Sequence, residues 1–347
     1  MPYPVAVTET FSTLPPVTVA SFQDLQSKDP KRGPEARDSD SIRVEPAPAG
    51  LTHWCEATKG GGKIAPEVFA EMTARPRFAD ACRASYRSSI ERSGRNPVLT
   101  RVTMDTSRLV YGYLVLYLDA HGAITLKEIQ DLCREIGLAG HGRAQAILFH
   151  LRAIGYLQRD PDSTDRRSRR YLPSPEMKAA LRDCLGDELR AFSLMEPEAG
   201  HAEARLAEPA FFRAFLMRWG KGLVDALKFR NRRPISHFSD RNAGLVMLHD
   251  ALLSAKEDDT YPPRGPLKMS IRELARKYDV SRSHVLRLFR DAETLGLLTR
   301  NADEQTVTLD EAFTRDIVEF QVIIFLAMAT CAQHAFDATA AGASTAA

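Results

Sequence analysis

The sequence has little of what marks the more specialised protein classes. Its five cysteines, Cys55, Cys82, Cys133, Cys184 and Cys331, lie far apart and form no CxxC pair, which argues against a zinc site or a disulfide framework. Neither sign of charge dominates: 47 Lys and Arg stand against 45 Asp and Glu, a formal net charge of +2, so any surface for a polyanion must be local. The opening residues, MPYPVAVTETF, carry no basic flank before an apolar run. Elsewhere the longest apolar candidate, Val322 to Ala332, is about half the length that spans a bilayer. These absences predict a cytoplasmic, nucleoid-associated chain with no membrane partner. No Ser/His/Asp or Cys/His set and no carboxylate pair has a spacing that points to a reaction. Lys59 to Lys63, KGGGK, lacks the GxxxxGK[ST] spacing of a phosphate loop and reads as a linker. The expectation is a protein that is not an enzyme, with no catalytic residues, no cofactor and no metal.

What is present begins with enough apolar residues, 44% of 347, for about two domains with real cores. Residues 1–50 hold eight of the twenty prolines and few periodic apolar positions, which predicts a disordered N-terminal arm. Residues 51–100 form an N-terminal helical segment, patterned most clearly from Ala65 to Glu91. Arg108 to Leu118 is strongly apolar, and the stripe of Tyr111, Tyr113 and Tyr117 reads as a packing face.

The densest signal lies in Ser270 to Arg300, SIRELARKYDVSRSHVLRLFRDAETLGLLTR. Ile271, Leu274, Ala275 and Tyr278 recur at helical spacing behind Ser270, which makes one short supporting helix. Asp279 and Val280 form the connection, Ser281 is an N-cap, and Val285, Leu288, Phe289 and Ala292 line the buried side of a second helix. The other face of that helix presents Ser281, Arg282, Ser283, His284 and Arg287 near its N-terminus, where a helix lying in the major groove brings side chains to base edges. Gly296 is placed to end it with a left-handed residue. Leu297 to Arg300 and Gln305 to Leu309 then predict a hairpin turning at Asn301 to Glu304. The spacing is that of a helix-turn-helix feeding a β-wing.

The same plan occurs twice. Ser107 to Asp160 runs through an apolar helix, a supporting helix (Leu126 to Ile136), a reading helix ending at Gly155 and a strand (Tyr156 to Arg159). Its reading helix offers His141, Arg143 and Gln145. Even the preceding segments echo each other, RPRFADACRASYRS at 75–88 and EPAFFRAFLMRWGK at 208–221. The second copy carries an insertion near Asp258 to Pro266. Both copies resemble MarR-type winged helix-turn-helix domains, most specifically at Gly155-Tyr156-Leu157 followed by DPDSTDRRSRRYLPS. There Asp165 and Arg167 match the Asp-x-Arg of the family's wing. The resemblance implies that Asp165 braces the wing and that Arg167 reaches the minor groove. It also implies two-fold dimers held by terminal helices. Here two copies in one chain would form a covalent pseudo-dimer.

The resulting architecture is mainly α with small β-wings, tandem winged helices joined by long helices. The first winged domain spans 101–175, bridging helices 176–234, the second winged domain 235–310, a C-terminal packing helix 311–337 and a disordered tail 338–347. Asp316, Glu319 and Gln321 mark the polar side of the packing helix, while Ile317, Val318, Phe320, Ile323, Ile324 and Phe325 must be buried, within the chain or against a second copy. The protein would be a monomeric pseudo-dimer or a homodimer through that helix. Arg159, Arg166, Arg167, Arg169 and Arg170 stand against Asp160, Asp162 and Asp165 in the first wing, whereas the second sets Arg300 against Asp303, Glu304 and Asp310, so the first wing is the more basic and the half-sites should be unequal. The partner expected is double-stranded DNA, and the function a sequence-specific transcriptional regulator, most simply a repressor on an asymmetric operator. The resemblance also allows for a small-molecule effector. Two other readings stay open: a plasmid or phage replication initiator, and an adaptor whose winged helices bind protein.

Overall fold

The structure, a computed structural model, describes residues 49–57, 64–95, 106–122, 124–163, 169–228, 233–255 and 261–346. The disordered arm expected over 1–50 lies outside them apart from Ala49 and Gly50, as does the linker at 58–63. The described chain is mainly helical with a few short strands. Three helices come first: α1 (Ala49–Ala57), α2 (Pro66–Ala74) and α3 (Phe78–Arg95). Within the segment from Ala65 to Glu91, expected to be helical, Arg75, Pro76 and a left-handed Arg77 separate α2 from α3, because proline cannot donate to the preceding turn.

The next stretch contains α4 (Thr106–Ala120), α5 (Leu126–Glu135), α6 (His141–Ala153), β1 (Leu157–Arg159), β2 (Tyr171–Pro173), α7 (Pro175–Phe192) and α8 (Glu198–Arg205). A second set follows: α9 (Pro209–Lys228), α10 (Ser236–Ser239), α11 (Gly244–Leu253), β3 (Leu267–Lys268), α12 (Ile271–Lys277), α13 (Arg282–Thr294), β4 (Leu298–Asn301), β5 (Thr306–Leu309) and α14 (Glu311–Ala346).

The two sets repeat one another down to single hydrogen bonds. Helices α6 and α13 are both 13 residues long and both give way to a left-handed glycine, Gly155 at φ 81° and Gly296 at φ 71°. The N–H of Tyr156 donates to Leu151 O and that of Leu297 to Ala292 O, and Ser174 N to Tyr156 O matches Asp310 N to Leu297 O. β1 and β2 pair antiparallel, with Arg159 opposite Tyr171, and β4 pairs with β5, with Arg300 opposite Val307. In each set a residue just before the supporting helix joins the returning strand. Thr125 bridges Arg170 in the first, and β3 pairs with β5 in the second. This third strand was not expected from the sequence.

The sets exchange their leading helices. α3 packs on α7 of its own set and on α11 of the other, while α9 packs on α14 of its own and on α4 of the other. Aromatic contacts mark the junctions: Tyr86 stacks on His249 at 4.3 Å, Tyr113 meets Trp219 edge-on at 5.6 Å, and Phe192 stacks on Phe325 at 5.2 Å. Such pairs are worth about 0.5–1.5 kcal/mol each beyond the area they bury. Tyr111, Tyr113 and Tyr117 are all buried as a packing face, and the Tyr111 hydroxyl donates to Ala144 O at 2.9 Å, tying α4 to α6. The Cys133 thiol is buried and pushed up to about 12 by that burial, so it packs as an apolar group.

Helix α14 departs from expectation in three ways. It continues through the proposed tail to Ala346. Asp316 and Gln321, expected on a solvated side, are buried; Asp316 is held there by Arg233 at 2.7 Å and by the Ile235 N–H at 2.7 Å. It is also long and apolar enough to cross a membrane by length and composition, whereas no such span was expected. The reason is that apolar segments on both sides of Val322 to Ala332 join one continuous helix. In this fold it is packed against α1, α9 and α7, which accounts for its apolar character. Phe320, Ile323 and Ile324 remain half-buried.

Candidate nucleic-acid interface

Helix α13 is built to present its N-terminus. Ser281 accepts from the backbone N–H of His284 at 3.1 Å, satisfying one of the orphan donors of the first turn. Val285, Leu288, Phe289 and Ala292 are buried beneath it. Arg282, Ser283 and Arg287 stand exposed on the outer face, joined by Arg290. Two of the expected contact residues are otherwise occupied. The Ser281 hydroxyl serves the cap and lies 3.0 Å from Ser283 Oγ, and His284 Nε2 is 2.9 Å from the carbonyl of Asn242. They brace the helix; the free chemistry belongs to the arginines.

The loop before α11 forms the other lip of this site. Arg241 Nη1 lies 2.7 Å from Asp291 Oδ2, and the Arg241 hydrogen bond holds the Asp291 carboxyl below the usual range. His237 Nε2 approaches Leu288 O at 2.9 Å. Three points of the 237–242 segment therefore fix the angle of α13. Arg241, Asn242, His284, Arg287 and Asp291 together line a cleft of about 380 Å³. Arg241 was missed in the sequence because its loop precedes the helix-turn-helix by some thirty residues; its signal is the polar DRN at 240–242 immediately before an apolar helix.

Helix α6 is presented differently. Its N-cap is Gly140, with no side-chain cap. His141 and Arg143 are exposed and Gln145 is half-buried; the His141 carbonyl accepts from Gln130 Nε2 at 3.1 Å, which fastens α6 to α5. Thr125 and Glu128 close a full capping box on the supporting helix.

The wings differ too. Arg169 and Arg170 are exposed beside β2; Asp165, Arg166 and Arg167 lie outside the described residues. In the second wing Arg300 is withdrawn from solvent chemistry. Its Nη2 lies 2.6 Å and its Nε 2.8 Å from Glu293 Oε2, and its backbone N–H donates to Glu293 Oε1 at 2.9 Å. Bonded to that N–H and side chain, Glu293 is held below the ordinary carboxylate range. Arg300 is thus the brace between α13 and its wing, while Asp303 and Glu304 remain exposed at the tip. Compared with protein-family models, with curated proteins and with solved structures, the chain matches none of them.

Proposed function

We propose that the protein is a sequence-specific double-stranded DNA-binding regulator of transcription, a repressor that occludes an asymmetric operator through tandem MarR-type winged helices. One observation carries this reading: α13 offers Arg282 and Arg287, exposed within its first two turns, on a helix fixed in angle by the 237–242 segment. Arginines so placed suit bidentate recognition of guanine in the major groove. The exchanged packing of α3 and α9 supports a pseudo-dimer, and the unequal wings support unequal half-sites. A homodimer reads a near-palindrome because its two readers are identical; fusion removes that constraint. The chain acts without catalysis, and an effector would work by shifting the two halves.

Enrichment from a random duplex pool tests the reading directly. The expected outcome is a single asymmetric consensus bound with submicromolar affinity that falls steeply with salt. Arg167→Ala should weaken binding evenly across sequences. Enrichment of nothing would favour an adaptor that binds protein, and a parallel selection from the protein's own replicon that returned tandem repeats would favour a replication initiator.

A further inference from the structure

The equal length and matched ends of α6 and α13 allow the two helices to be compared residue by residue. Counting from the N-caps Gly140 and Ser281, three buried positions correspond, Ala144 to Val285, Leu148 to Phe289, and Leu151 to Ala292, while Ile147, half-buried, stands where Leu288 is buried. On the outer face, Ala146 stands where Arg287 stands and Phe149 where Arg290 stands, and all four are exposed. Phe149 keeps 45% of its surface in solvent. A single exposed apolar side chain is ordinary. The informative point is that two arginines of one reader are replaced, at matched positions, by a methyl and a phenyl in the other, while the core positions stay apolar.

Base edges distinguish these chemistries. An arginine fork fits guanine O6 and N7, whereas Ala and Phe make apolar contact with the 5-methyl group of thymine. The charge needed to hold DNA on this half is supplied elsewhere, by Arg143 at the helix start and by Arg169 and Arg170 on the wing, all exposed. We propose that α6 reads an A·T-rich half-site through thymine methyl groups touching Ala146 and Phe149, while α13 reads a guanine-containing half-site. The operator is then asymmetric in base composition as well as in sequence. This inference rests on the DNA-binding reading above.

The test uses the full chain and its enriched duplex. The α6 half-site is identified as the half whose preference alone changes in Ala146→Arg, which should move toward guanine. Replacing thymine by uracil in that half removes only the methyl group and should weaken binding roughly fourfold for each methyl buried. The same replacement in the other half should leave affinity unchanged, and Phe149→Ser should abolish the difference at its thymine. Uracil without effect in the α6 half, or a guanine-rich consensus there, would overturn the inference while leaving DNA binding intact. If Phe149→Ser instead dissociates a dimer and leaves uracil sensitivity unchanged, that face belongs to a second copy and the inference also fails. Failure to enrich any duplex would remove the DNA-binding reading itself.

Discussion

Arg241 and Asp291 are joined at 2.7 Å across the edge of helix α13, so one carboxylate lies among the cations facing the proposed groove. That carboxylate limits how strongly the site attracts phosphate of any sequence. Asp291→Asn should therefore tighten binding to random duplex more than to the selected site, lowering specificity. Arg241→Ala should weaken both alike and reduce the slope of log affinity against log salt by about one. Titrations of both duplexes across a salt series measure the two effects together.

Arg282 and Arg287 should behave as base readers. Each substitution to alanine is expected to cost about 1–3 kcal/mol of binding to the selected duplex and to relax preference at one position of the α13 half-site. A uniform loss across all sequences would reassign them to phosphate.

Ser281 separates capping from reading. Ser281→Ala removes the acceptor for the His284 N–H and should lower folding stability by about 1 kcal/mol without changing the enriched consensus. Denaturant unfolding beside a repeat of the enrichment gives both readouts.

How much of this was legible in the sequence depends on range. Helices α6 and α13, their terminal glycines and the hairpins were readable because caps, 3.6-residue spacing and left-handed positions act within a few residues. The exchange of α3 and α9 was not, since it depends on shape. Gly220 looks like any helical glycine, yet a Cβ there would overlap the ring of Tyr117. Arg300 looked like a wing cation, and only the fold brings Glu293 to it. Asp316 looked solvated because Arg233, its partner, lies 83 residues away.

The glycines of α9 make that contrast measurable. Alanine is about 1 kcal/mol better than glycine inside a helix, so Gly222→Ala, which meets only the flexible end of Arg218, should stabilise the protein by about that amount. At Gly220 the same gain is set against overpacking of Tyr117, about 1–3 kcal/mol, and the net effect should be destabilising. Midpoints of chemical unfolding distinguish the two signs.

His249 sets an acid limit on the junction between the halves. From α3, Tyr86 stacks on it, Ser89 Oγ lies 2.8 Å from its Nδ1, and Arg92 adds positive charge. Burial first, then Arg92, pushes the imidazole down from its usual 6.5 to about 3. The unfolded chain therefore takes up a proton below about pH 6.5 that the native state refuses until about pH 3. Stability from this residue is complete above pH 6.5 and declines as pH falls, by at most about 1.4 kcal/mol per pH unit. His249→Gln should flatten that acid limb relative to the parent when unfolding is followed from pH 7 to pH 4.

The exchanged helices also govern how the chain can be made. Ser89 meets His249 across 160 residues of sequence, so α3 leaves the ribosome with its partner surface on α11 still unsynthesised. The first repeat must wait, with apolar surface uncovered, until the second emerges. Folding should thus be slow for so helical a protein, and a chain cut between the repeats should yield two aggregation-prone halves instead of two independent domains.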